Sequence, residues 1–317
     1  MRVSTSQIYY SGTTNITNSQ SDVYKTQNQL STGRKNLSPR DNPVDSTLSL
    51  MVTQSKDVNA SFIKNQGTAS DRLAFIDTQL GAVSELLQNA LERSIQGGNS
   101  TYSSQQKQAL AEELKRRFEG LVDLANTKDA SGEYVFAGNR TNQLPFSMDG
   151  SGGNYSLEGG TKVGYVGDDG QRLLQVGASQ TVATSESGQN VFMRVQRSDG
   201  NLNGRSVFDA LQNMIDNLDS SSGVTPKPSY DQALADLHDS LDHVSRIRAS
   251  VGARMNQIDS LTNAASDLAV QYDTQLANLE GLDYAEAISR LSQQQMQLQA
   301  SQQSFAKTAQ LSLFNLL

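Results

Sequence analysis

The stretch LAFIDTQLGAVSELLQNA, residues 73 to 90, spaces its apolar side chains in alternating steps of three and four residues. That spacing places these side chains on one side of an α-helix and is typical of a helix that packs along another helix. Apolar residues continue at helical spacing on both sides, so the sequence predicts a helix from Val44 to Ile95. The apolar stripe at its centre consists of Leu73, Ile76, Leu80, Val83, Leu87 and Ala90.

Two further long helices are predicted downstream. After GGNSTYSS (97–104), a helix runs to about Asn126, and Ser103 with Gln106 can form a capping box at its start. The longest pattern follows Pro228 and keeps one register from Tyr230 to about residue 279. We therefore expect long antiparallel helices that form a rod, with helical arms from about 44 to 130 and from 206 to 278.

Composition favours this architecture over a thick globular enzyme. The hydrophobic fraction is 36% and tryptophan is absent, so apolar material is thinly spread for one large core. The net charge of −7 argues against a nucleic-acid surface, and the lack of cysteine excludes disulfides and thiol nucleophiles. No apolar run is long enough to cross a membrane, and the N-terminal residues lack the apolar segment of a cleaved signal peptide.

A different composition interrupts the helices. Residues 132–204 hold more than half of the 24 glycines. TKVGYVGDDGQRLLQVG (161–177) predicts two strands around an Asp-Gly turn, and SQTVATSESGQNVFMR (179–194) predicts a further strand, turn and strand. The expected fold class is mainly α with an inserted small β domain.

Both ends of the chain carry half of a coiled-coil stripe. At each end an apolar residue recurs every seven residues, but most of the second positions of each heptad are polar. One apolar residue per heptad is too little to stabilise an isolated helix. We predict that both ends are disordered in the monomer and pair as a coiled coil on assembly. The repeating residues at the N-terminal end are Tyr9, Ile16, Val23, Leu30 and Leu37. Those at the C-terminal end are Tyr284, Leu291, Leu298 and Phe305, and the second positions, four residues further on, are Ile288, Gln295, Gln302 and Ala309.

A charged connection, LSTGRKNLSPRDNPVDS (30–46), follows the N-terminal repeat. Gly33 can end the first helix in a left-handed turn, and Asn42 with Pro43 can begin the next. Arg34, Lys35, Arg40 and Asp41 are left to face outward. They could form local ion pairs in a solvated loop, or they could pair with neighbouring subunits.

Three stretches resemble the flagellin superfamily. LSTGRKNLSPRDNPVDS is similar to its N-terminal pattern, and LSQQQMQLQASQQSFAKTAQLSLFNLL (291–317) is similar to its C-terminal end. SGEYVFAGNRTNQLPF (131–146) resembles a stretch of the hook-associated junction proteins of that superfamily. The residues that match this stretch are Tyr134, Phe136, Ala137, Gly138, Thr141, Pro145 and Phe146.

The resemblance implies a structural subunit of the bacterial flagellum, exported unfolded by the type III apparatus and extracellular once assembled. Its implied partners are hook-associated protein 1, flagellin, neighbouring copies in a junction ring, and an export chaperone that binds the C-terminal helix. With this resemblance, inter-subunit pairing is the favoured role of the charged connection. Two other hypotheses stay open: a small flagellin that forms the filament itself, and a coiled-coil adhesin whose β domain carries a ligand.

The sequence predicts three domains and an assembly interface. The domains are a terminal coiled-coil domain (1–42 and 279–317), a helical rod (43–131 and 205–278) and the glycine-rich β domain (132–204). Neither catalysis nor a cofactor or metal is expected, because His238 and His243 are five residues apart on a helix and no catalytic motif accompanies them. The predicted interface residues are Tyr9, Ile16, Val23, Leu30, Arg34, Lys35, Arg40, Asp41, Tyr284, Ile288, Leu291, Leu298 and Phe305.

Overall fold

The computed structural model of the protein describes residues 5–148, 163–196, 205–219 and 228–314. These residues form α1 (Thr5–Thr32), α2 (Pro43–Gly97), α3 (Ser104–Ala125), α4 (Val207–Leu218), α5 (Tyr230–Glu280) and α6 (Tyr284–Phe314). Between α3 and α4 lie β1 (Phe146–Ser147), β2 (Gly164–Tyr165), β3 (Leu173–Gln175), β4 (Thr181–Ala183) and a π-helical turn (Gln189–Met193). The mainly α fold with a small β region is therefore confirmed.

The chain divides into two compact units, and α2 and α5 contribute to both. The terminal unit falls within Met1–Ala60 and Asp267–Leu317, and the central unit within Ser61–Ser266. The predicted domain boundaries at residues 42 and 279 stay a prediction. No helix among the described residues is long and apolar enough to cross a membrane.

The central unit has one hydrophobic core, and the apolar stripe of α2 is part of it. All six residues of the stripe, from Leu73 to Ala90, are buried. They share a core cluster with Leu237, Val244 and Val251 of α5, spaced by seven residues. The capping box that was predicted for α3 is present, with Ser103 and Gln106 each bonded to the other's backbone N–H. The helix spacing therefore predicted both the helices and the face that each of them buries.

The helical arm predicted from residue 206 consists of two helices. Ser206 caps α4 and forms a capping box with Asp209. α4 ends at Leu218, and Pro226 and Pro228 precede the start of α5 at Tyr230. Proline lacks the backbone N–H that a helix interior needs, so a continuous helix through this stretch is disfavoured.

The two strands predicted around the Asp-Gly turn are present, but they do not pair with each other. β2 and β3 flank the Asp-Gly turn, yet β2 pairs with β1 and β3 pairs with β4. The turn is held by another loop instead, since the Asp168 carboxylate accepts hydrogen bonds from the backbone N–H groups of Asn139 (2.6 Å) and Gly170 (3.1 Å). Gly138 makes this approach possible, because a Cβ at its positive φ of 68° would lie 2.3 Å from the Asp168 carbonyl oxygen.

The last predicted strand is absent, because Val191–Met193 belongs to the π-helical turn. Phe192 lies there within an aromatic cluster, with ring centroids 5.3 Å from Phe136, 5.3 Å from Phe146 and 5.7 Å from Phe208. Burial of a phenylalanine in such a cluster outweighs local strand propensity. The tertiary contacts therefore decide the local conformation here.

Buried polar groups join the β region to α5 within the central unit. Arg205 forms an ion pair with Asp236, and Arg254 forms one with Glu186; the two carboxylates are almost fully buried. The buried His243 donates a hydrogen bond from Nε2 to the Asn190 carbonyl oxygen at 2.8 Å. Burial lowers the pKa of His243, so the imidazole is held neutral in a structural position.

Candidate functional site

The two ends of the chain pair with each other in the terminal unit, as the heptads predicted. Tyr9 of α1 packs edge-on against Phe305 of α6, with ring centroids 5.6 Å apart. The Thr26 hydroxyl donates a hydrogen bond to Gln294 Oε1 at 2.7 Å. Because residues early in α1 meet residues late in α6, the two helices are antiparallel. We call the contact surface between α1 and α6 the terminal seam.

The seven-residue repeats occupy this seam to different degrees. Val23 is buried, and Tyr9, Ile16, Leu30, Leu291, Leu298 and Phe305 are half-buried. Thr26 and Gln29 are also buried, although both are polar. The Gln29 amide donates to the Lys35 carbonyl oxygen at 2.6 Å, which satisfies one of its polar atoms inside the protein. The terminal seam is therefore narrow and partly polar.

Ile288 lies outside the terminal seam. It is 55% exposed, whereas Ala287 is buried. Ala287, three residues after Tyr284, takes the next position of the terminal seam. The seam advances by three residues at this point instead of four, so it continues through Gln294 and Ser301, and Gln295 and Gln302 are exposed. Whether the step is three or four residues could not be deduced from α6 alone, since both spacings keep residues on one face of a helix. A role for Ile288 in contacts with another subunit stays a prediction.

Backbone hydrogen bonds hold the end of α1 against the connection between α5 and α6. Gly33 adopts a φ of 70° and donates its N–H to the Gln29 carbonyl at 2.8 Å, which is the predicted left-handed helix end. The Lys35 N–H donates to the Glu280 carbonyl at 2.8 Å, and the Leu282 N–H donates to the Gly33 carbonyl at 3.1 Å. Both connections of the terminal unit are thus joined into one structure.

Most charged residues in the connection between α1 and α2 form ion pairs within the chain. Arg34 lies 3.4 Å from Glu280, Lys35 lies 3.2 Å from Asp45, and Lys25 lies 2.7 Å from Asp41. The hydrogen bond from Lys25 lowers the pKa of the Asp41 carboxyl. These contacts favour local ion pairs for three of the four predicted residues.

Arg40 differs from the other three charged residues. It is exposed and makes no ion pair within the described part of the chain. The start of α2 agrees with the sequence, since the Asn42 side chain accepts a hydrogen bond from the Asp45 N–H at 3.2 Å and Pro43 is the first helical residue. Pairing of Arg40 with a neighbouring subunit stays a prediction.

The first half of α2 carries a feature that the sequence reasoning missed. Four of its apolar residues follow one another at steps of four, three and seven residues, yet they are between 45% and 65% exposed. The spacing is visible in the sequence and contributed to the predicted helix from Val44 to Ile95, but spacing alone does not show whether a face is covered. We call this set the exposed stripe; it consists of Val44, Leu48, Met51 and Val58.

Comparison with protein families identifies both ends of the chain. The bacterial flagellin N-terminal helical region matches residues 3–141, and the bacterial flagellin C-terminal helical region matches residues 234–317. The flagellar hook-associated protein 3 of Escherichia coli (strain K12) is 30% identical over 327 residues, which cover 100% of this chain and 99% of that protein.

Solved structures share the fold. The flagellar hook-associated protein-3 of Legionella pneumophila gives a TM-score of 0.62 at 21% identity and covers 72% of this chain and 98% of its own. The flagellar junction protein FlgL from the same species gives a TM-score of 0.59 at 20% identity and covers 74% of this chain and 100% of its own.

Proposed function

Because the chain belongs to the flagellar hook-associated protein 3 family within the flagellin superfamily, we propose that it is a structural subunit of the flagellum that joins the hook to the filament. The observation that carries this proposal is similarity along the entire length, at 30% identity over 100% of the chain, including the middle region in which superfamily members differ. The relatives are structural flagellar proteins, so the function is mechanical. The protein lies in the flagellum, where it contacts other flagellar components.

We propose that the paired ends are the assembly domain and that α1 and α6 form an inner layer around a channel. Support comes from the narrow terminal seam, which leaves most side chains of α1 and α6 exposed and polar. Helices with so little buried apolar surface need further packing partners. We expect both ends to be disordered in the isolated chain, which suits export in an unfolded state by the type III apparatus.

The exposed stripe is the second part of the proposed interface. Single exposed apolar residues are ordinary, but four at coiled-coil spacing on one helix form the kind of surface that packs against another helix. We propose that neighbouring copies in a ring cover it. Arg40, Ile288 and Tyr284 are also exposed in the terminal unit, and we assign them to the same proposed interface.

The remaining partners follow from the family. We propose hook-associated protein 1 on one side, flagellin on the other, and a chaperone that binds the C-terminal helix before export. Both structural partners would meet the subunit through terminal helices, and the helical regions that match flagellin support this. The glycine-rich region 132–204 would face outward in the assembly. The finished junction would be extracellular.

Deletion of this gene in its source organism tests the proposed function. Without the junction subunit, flagellin should be secreted into the medium instead of remaining on the cell, so cells should keep their hooks and lose their filaments. Electron microscopy of the cells and gel analysis of the medium measure both effects, and the intact gene on a plasmid should restore the filaments. Cells that keep full filaments after the deletion would contradict the proposal.

Purified protein tests the alternative of a small flagellin. A flagellin should polymerise alone into long filaments, whereas a junction subunit should stop at small assemblies. Sedimentation and electron microscopy of the purified chain distinguish the two results. Long filaments from the purified chain alone would favour the alternative.

A further inference from the structure

The terminal seam contains two places where an aromatic side chain packs directly on a glycine. A Cβ built on Gly12 would lie 2.5 Å from the Phe305 ring, and one built on Gly33 would lie 2.8 Å from the Tyr284 hydroxyl oxygen. Neither glycine could carry a side chain without displacing its aromatic partner. Gly12 of α1 thus fits closely against the Phe305 ring of α6, and Gly33, one residue past the end of α1, lies against the Tyr284 hydroxyl.

The two pairs are separated by the same number of residues on both helices. Gly12 and Gly33 are 21 residues apart, and so are Tyr284 and Phe305, which is three heptads. In antiparallel helices this common offset places Ser19 opposite Leu298 and Thr26 opposite Leu291. The bond from Thr26 to Gln294, close to Leu291 in sequence, agrees with that order. Four layers in succession thus set a small residue of α1 against a large residue of α6.

The two middle layers cannot fix the register by themselves. If α6 slipped along α1 by one heptad, a leucine would still face a small residue at these positions. Such a slip would move α6 by about 10 Å, at 1.5 Å per residue. It would also put Tyr284 opposite Thr26 in one direction, or Phe305 opposite Ser19 in the other. In both cases an aromatic side chain would meet a side chain where it now meets glycine.

We infer that Gly12 and Gly33 determine the register in which α1 pairs with α6. They are positioning residues that act through Phe305 and Tyr284 and reject registers shifted by a heptad. Polar or unusually small seam residues that specify register are a general device of coiled coils. The consequence for assembly rests on the proposed function, because a shift of about 10 Å would displace every exposed side chain of α6 that faces another subunit.

The absence of cysteine from the chain makes the register measurable by disulfide trapping. Ser19→Cys with Leu298→Cys reports the observed register, and Ser19→Cys with Leu291→Cys reports a slip of one heptad. The full-length chain is oxidised, and the intramolecular disulfide is quantified by protease digestion and mass spectrometry. Because trapping is covalent, the ratio of the two yields is defined even if the ends pair only part of the time. The observed register should give roughly ten times more disulfide, a difference within the range of single packing effects.

Gly12→Ala is the decisive variant. Alanine is the better helix former, so helix propensity alone would leave or raise the yield of the observed register. We expect instead that the ratio of the two disulfides falls about tenfold, because the new methyl group displaces Phe305. Adding Phe305→Leu should restore the preference by removing the ring. Gly67→Ala is the matched control, since Gly67 is helical with no atom within 4 Å of a Cβ, and it should change nothing.

Equal yields from the two reporters in the otherwise unchanged chain would overturn the inference, as would an unchanged ratio in Gly12→Ala. This outcome is separate from the fate of the proposed function. If the observed register dominates but cells that lack the gene keep their filaments, then the proposed function fails and the register stands. If the filaments are lost but the two reporters give equal yields, then the function stands and the register inference fails.

Discussion

The two halves of α2 carry the same apolar spacing and differ completely in burial. In the second half, Leu73, Leu80 and Val83 are inaccessible to solvent in the core of the central unit. In the first half, Leu48 and Met51 of the exposed stripe are about half accessible. Helical spacing determines which side chains share a face, and other elements decide whether that face is covered. An equally spaced but open stripe therefore indicates a partner outside the chain.

Ion pairs differ between the two units in the same way. Arg205 and Asp236 are buried in the central unit, whereas Lys56 and Asp273 form an exposed pair in the terminal unit. Buried charges need their partners because water cannot replace them, and exposed charges lose little when a partner is removed. The central unit thus has buried ion pairs beside exposed ones, whereas the described ion pairs of the terminal unit are at least partly exposed. This contrast supports the proposal that the terminal unit is completed by assembly.

The largest expected effect comes from the buried ion pair. Asp236→Asn should lower the free energy of unfolding by about 3–5 kcal/mol, because it removes a carboxylate that pairs with the buried Arg205 guanidinium. Asp273→Asn is the matched change in the terminal unit and should cost less than about 1 kcal/mol. Urea unfolding followed by circular dichroism measures both. Similar losses from the two variants would remove the contrast between the units.

A somewhat smaller effect is expected from the apolar stripe of α2. Leu80→Ala should lower the free energy of unfolding by about 2–5 kcal/mol through loss of buried surface and creation of a cavity. Met51→Ala, in the exposed half of the same helix, should change it by less than about 0.5 kcal/mol. Met51→Ala should instead reduce the number of attached filaments when it replaces the natural gene. If Met51→Ala destabilises the isolated chain as much as Leu80→Ala does, the exposed stripe is covered within the monomer.

Sequence periodicity predicted the helices well because their cause is local. The bounds of α2 and α5, the cap at Ser103 and the left-handed end at Gly33 follow from residue spacing and from the chemistry of single positions. The pairing of α1 with α6 was also predictable, since each end carried the half of a stripe that the other lacked. The resemblance of both ends to flagellin agreed with the families that match them.

The features that the sequence did not predict depend on contacts between distant residues. β2 and β3 do not pair with each other, and the turn between them is held by the hydrogen bond from Asn139 to Asp168. The strand predicted at Phe192 is absent because three other aromatic rings surround that residue. The step from Tyr284 to Ala287 and the two glycine–aromatic layers require both helices to be placed against each other. The exposure of the exposed stripe was not predicted because spacing alone contains no information about coverage.

Amide hydrogen exchange on the isolated chain in dilute solution tests the central claim most directly. The claim is that the central unit holds its own structure, while the paired ends obtain theirs from assembly. We predict that residues 5–32 and 284–314 exchange almost freely, whereas residues 230–266 of α5 are strongly protected. Slow exchange of both terminal helices in the dilute monomer, at the level of α5, would contradict the account.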